Sequence, residues 1–164
     1  MFDTMGVKVV ERYLDKFGWK VHEPGPEVGE KEGFVFTGWT DPFGNGHRLI
    51  IDPMVEKRAL VFRAPILQVP LDSTPVDRVN GLLLAVGALN SQFILGAFAY
   101  NPNDGWLEFK LSVPSDNGGV EYPSFEHALK ALTSTVDEMA PNLQAIADGT
   151  KTAREVLVSK GFQT

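Results

Sequence analysis

The densest hydrophobic pattern in the chain lies between Pro75 and Pro114, where Val79, Leu82, Leu83, Leu84, Val86 and Leu89 occupy nearly every side of a candidate helix ending at Asn90. A helix touching one sheet alone keeps a polar back. Leu82 to Leu89 therefore predict contacts on two faces, one with a sheet and one with another helix or a second subunit. Thr74-Pro75-Val76-Asp77 has the form of a helix start: a hydroxyl to accept an orphan amide, proline at the first position, and an acid in the first turn. Beyond Asn90, Leu95 to Asn101 and Trp106 to Val113 are strand patterns joined by Pro102-Asn103-Asp104-Gly105, and Asp-Gly in that setting predicts a hairpin. The second arm alternates, with Leu107, Phe109, Leu111 and Val113 on one side and Trp106, Glu108, Lys110 and Ser112 on the other.

Upstream, Val9, Val10, Tyr13, Leu14 and Phe17 follow the spacing of one helical face, predicting a helix from Thr4 to Phe17 that Gly18 stops. Trp19 to Glu23 reads as a short strand, and the Pro/Gly-punctuated Pro24 to Gly33 as an exposed loop. Three strands are expected at Phe34–Thr40, His47–Asp52 and Ala59–Pro65. They are separated by a reversal at Asp41-Pro42-Phe43-Gly44-Asn45-Gly46 and a turn at Pro53 to Arg58. Such short connections make consecutive strands antiparallel neighbours. After an exposed loop from Pro114 to Tyr122, Ser124 is expected to cap a helix carrying Phe125, Leu129, Leu132 and Val136 on one side. Pro141 should kink or restart that helix. Thr152-Ala153-Arg154-Glu155 is a capping-box pattern opening a short last helix.

The 164 residues fit a single domain spanning 1–164, with 150–164 as an appended C-terminal helix. Eleven Phe and three Trp supply a packed interior and argue against disorder. A net charge of −6 disfavours nucleic acid and anionic membranes, whose affinity rests on Lys and Arg. The absence of cysteine excludes disulfides, thiolate metal sites and cysteine nucleophiles. Met1 to Arg12 has no signal-peptide hydrophobic region, and no apolar run approaches the roughly 20 residues of a membrane span. A cytoplasmic protein is the expectation.

The element order, with Leu89-Asn90, Gly96-Ala97-Phe98-Ala99-Tyr100, Asn103-Asp104-Gly105 and Leu111-Ser112-Val113-Pro114, resembles the YbjN-like bacterial proteins, which have the type III secretion chaperone-like fold. The resemblance spans Thr4 to about Gly149. It implies an α+β domain, an antiparallel sheet packed against helices in the order helix, three strands, helix, hairpin, helix. It also implies a homodimer that binds protein segments rather than transforming substrates, and it brings no catalytic residues.

The chemical motifs agree with that direction. His22, His47 and His127 have no metal-ligand spacing. There is no Gly-x-Ser-x-Gly elbow, no Ser-x-x-Lys and no P-loop. Asn101 to Gly105 lacks the late bidentate Glu of a calcium loop. No catalytic residue, metal site or cofactor is expected. Asp41, Asp52, Asp104 and Glu108 sit near strand ends, where surface solubility or turn formation explains them. Asn90 is read as a cap or a tie between helix and hairpin, with a ligand contact as the alternative.

Two surfaces remain. Alternation brings Trp39, Arg48, Arg63, Trp106, Glu108 and Lys110 toward the less buried side of the sheet. Aromatic and Arg groups are favoured in protein interfaces, so Trp39, Arg48, Arg63, Trp106 and Lys110 are the expected partner-binding set, with cross-strand pairing that stabilises the sheet as the alternative role. Leu82, Leu83, Val86 and Leu89 are the expected dimer interface. The resulting expectation is a non-enzymatic, chaperone- or adaptor-like module that pairs with itself and binds a protein or peptide. The rival is a small-molecule binding protein or a hydrolase with a pocket between sheet and helices.

Overall fold

The computed structural model describes residues 5–22, 33–115 and 119–163. Thr4, Gly118 and all of the expected Pro24–Gly33 loop except Gly33 lie outside the described residues. The elements are α1 (Val7–Phe17), β1 (Val35–Thr40), β2 (Gly46–Met54), β3 (Ala59–Gln68), α2 (Val76–Asn90), β4 (Ala97–Tyr100), β5 (Trp106–Pro114), α3 (Tyr122–Asp148) and α4 (Ala153–Ser159). The α+β expectation holds: the strands form one antiparallel sheet in the order β1-β2-β3-β5-β4.

The register separates the two faces of the sheet. Val35 lies opposite Ile51, Ile51 opposite Phe62, and Phe62 opposite Leu111, and all four are at most 1% exposed. The helices cover this face: α1 packs on β1 and β2, α3 on β3 and β5, and α2 on β4 while touching α3 and α4. The side chains between the layers form one hydrophobic cluster. The other face carries the row Phe36, Ile50, Arg63, Lys110 and Ala97.

Several local expectations shift. Of the strand expected at Trp19 to Glu23, the described residues Trp19–His22 form only an isolated bridge, His22 to Phe36, and Glu23 lies outside the described residues. β2 runs through Pro53 to Met54, because Ile51 is its last partner on β1 and a proline beyond that point interrupts no pairing on that edge. The reversal follows as a 3-10 turn over Val55–Lys57, closed by Arg58 in the left-handed conformation at φ 49°. β3 continues past Pro65 to Gln68, with a bulge between Pro65 and Leu67 absorbing the misfit.

At α2, Pro75 is itself the cap residue and no side chain caps the end, so Thr74 does not play the expected part. The helix expected after Ser124 starts earlier, with Glu121 at the N-cap position but no side-chain cap, and is one continuous element of 27 residues across Pro141. Pro141 is exposed, while Leu132, Val136, Met139, Leu143 and Ile146 remain buried on either side of it. Continuous core contacts outweigh one missing backbone bond. The capping box of α4 forms as the sequence predicts: Thr152 Oγ1 accepts from the Glu155 amide at 3.2 Å, and the Glu155 carboxylate accepts from the Thr152 amide at 2.7 Å. No helix among the described residues is long and apolar enough to cross a membrane.

Candidate interaction surfaces

α2 is apolar all round because it is sandwiched. Val79, Leu82, Ala85, Val86 and Leu89 are buried. Three of the four residues expected at the dimer interface, Leu82, Val86 and Leu89, are thus inside the chain's own core at 0%, 6% and 1% exposure. The second apolar face predicted for this helix is taken up by α3 and α4. What remains outside is Val76, Leu83 and Leu84, continued past the helix end by Ile94 and Leu95. Leu83 therefore keeps an outward position, and Leu84, absent from the expected set, is more exposed at 64%.

Asn90 ends α2 and holds β4. Its Nδ2 donates to the Phe98 carbonyl at 3.0 Å, and its Oδ1 accepts from the Phe98 amide at 2.7 Å. A side chain thus satisfies both backbone groups of Phe98, as a neighbouring strand would.

On the open face of the sheet, the register aligns Arg63 with Lys110 and Gln68 with Trp106, while Arg48 lies opposite Gly38. Arg48, Arg63, Trp106 and Lys110 share this face. Arg63 grips Glu108 through Nε and Nη2 at 3.0 to 3.1 Å. Burial pushes the nearby Asp52 carboxyl up, against the opposing charges of Arg63, Lys110 and Lys57. Trp106 is 38% exposed.

Trp39 does not join them. It lies opposite His47 in the row that continues Val35 and Thr37, on the helix-covered side. The strand's period of two places Trp39 with buried Val35 and Thr37, and that parity overrules the polar-face assignment. Its ring stacks between Trp19 at 5.8 Å and His47 at 4.9 Å, and its Nε1 donates to Asp137 of α3 at 2.7 Å.

His47 Nε2 in turn lies 2.9 Å from Asp41 Oδ2 and 4.0 Å from Asp137 Oδ1. Asp41 organises the β1–β2 turn: its Oδ1 accepts from the amides of Phe43 and Asn45, both at 2.9 Å. Burial raises the Asp41 carboxyl, but hydrogen bonds from His47, Asn45 and Phe43 outweigh it and bring its pKa from 3.8 down to about 2. Beside the cluster, between this turn and α3, lies an open cleft of about 460 Å³ bordered by Pro42, Phe43, Lys130, Thr133, Asp137 and Glu138. Sequence spacing did not reveal the cluster, since Asp137 is far from Asp41 and His47 along the chain.

No protein-family model matches the chain, and no curated protein matches it in sequence. Solved structures do match in fold. YbjN of E. coli, named as a candidate transcription regulator, aligns with a TM-score of 0.61 at 17% identity, over 91% of this chain and 97% of its own. A chain of the ExsC–ExsE complex aligns with a TM-score of 0.52 at 16% identity, over 85% of this chain and 97% of its own. A chain of the HopA1–SchA chaperone–effector complex gives 0.49 at 12% identity, over 82% and 91%. The chain has the fold that its resemblance to the YbjN-like proteins implies.

Proposed function

We propose that this protein is a non-enzymatic interaction module of the chaperone or adaptor kind, which pairs with a second copy through the outward face of α2 and holds a protein or peptide segment on the open face of its sheet. The observation that carries this reading is the exposed apolar run of Val76, Leu83, Leu84, Ile94 and Leu95. Exposed apolar side chains gathered into one patch, rather than scattered singly, mark interaction sites. The open face adds Trp106, Arg63, Arg48 and Lys110, side chains of the type that anchors partners. Occurrence of the fold in the two-protein ExsC–ExsE complex supports the same direction.

Light scattering across a wide concentration range tests the pairing. The intact chain is expected to run as a dimer, and Leu84→Glu as a monomer with unchanged circular dichroism. A wild-type protein that is monomeric throughout removes the self-association claim. The rival small-molecule reading has one observation in its favour, the convergence of Asp41, His47 and Asp137 beside the cleft.

A further inference from the structure

We propose that Asp41, His47 and Asp137 bind a divalent first-row transition-metal ion of the Zn²⁺ type. The three residues come from the β1–β2 turn, the start of β2 and the middle of α3, and their candidate ligand atoms lie within 4.8 Å of one another. Metal bonds of about 2.0–2.2 Å put neighbouring ligand atoms roughly 3–4 Å apart. The contacts of His47 Nε2, 2.9 Å to Asp41 and 4.0 Å to Asp137, bracket that spacing, so small side-chain rotations admit an ion. One imidazole with two carboxylates is a donor set for such ions, whereas Ca²⁺ and Mg²⁺ take oxygen alone.

The ligands are also held from behind, which an accidental meeting of polar groups does not require. The backbone amides of Phe43 and Asn45 hold Asp41 Oδ1, and Oδ2 accepts from Asn45 Nδ2 at 3.1 Å beside its 2.9 Å contact with His47. Trp39 Nε1 anchors Asp137, and the Trp39 ring packs along the imidazole. Such outer contacts orient ligands in metal sites. Asp137 also borders the cleft, which offers an ion a way in. A carboxylate only accepts, so Nε2–H faces Asp41 Oδ2 in the 2.9 Å contact; an ion takes the Nε2 lone pair of the other neutral tautomer, whose single proton sits on Nδ1.

The test is titration of the full-length chain with Zn²⁺ by calorimetry and with Co²⁺ by absorbance. One ion per chain is expected, with a change in tryptophan fluorescence from the Trp39 ring against His47. Asp137→Asn and His47→Gln should each weaken binding more than about 10-fold. His127→Ala, an exposed histidine elsewhere on α3, should bind as wild type. No saturable one-to-one binding, or undiminished affinity in a folded Asp137→Asn protein, overturns the proposal. If His47→Gln does not fold, Asp137→Asn decides alone, because its partly exposed side chain lies outside the β1–β2 turn.

Discussion

Two residues show how single side chains replace missing structure. Asn90 satisfies both the amide and the carbonyl of Phe98. Asn90→Ala leaves both groups without this partner and should cost about 1–3 kcal/mol in urea denaturation. A cost below about 0.5 kcal/mol would mean water replaces the amide without penalty. Asp41 gathers the β1–β2 turn around one carboxylate. Its folded pKa of about 2 lies below the ordinary 3.8, so its contribution to stability is fully present above pH 3.8 and is lost as pH falls toward 2. Asp41→Asn should flatten the acid limb of the stability curve in that window, and an unchanged limb would place the acid sensitivity elsewhere. Sequence showed both residues at the ends of elements. The atoms they hold became visible only once α2 met β4 and the turn closed.

Elements were legible wherever one local signal dominated. The capping box of α4, the Asp-Gly hairpin and the alternation of β5 all formed as expected. Expectations failed where a neighbouring element decided the outcome: β2 ran through Pro53, and α3 ran through Pro141 because its buried stripe continues on both sides. For α2 the all-round apolar character was correct, but the outward positions could not be assigned before α4 was docked. The burial split predicts opposite behaviour for adjacent leucine positions. Leu82→Ala should cost about 2–5 kcal/mol by opening a cavity. Leu84→Ala should stay within about 0.5 kcal/mol in a stability assay run at monomer concentrations. Equal losses at both sites would contradict the assigned burial.

At the scale of the whole molecule, one face of the sheet is covered by helices and the other carries Arg48, Arg63, Trp106, Lys110 and Glu108. A segment held there should be lost from a peptide array probed with the Trp106→Ala, Lys110→Ala double variant, with thermal stability nearly unchanged. Retained binding would move the segment off this face. The polar and aromatic members of the open face were readable on β2, β3 and β5, where alternation is regular; Trp39 was misassigned because its own strand's parity ties it to Val35 and Thr37. By itself the sequence determined the element order, the antiparallel pairing and the α+β class, since periodicity, turn residues and caps act over a few neighbours. Tertiary structure alone decided which leucines of α2 face water, which side of the sheet holds Trp39, and that Asp137 meets Asp41 and His47. Those outcomes depend on how separate elements dock, and no spacing along the chain encodes a distance across it.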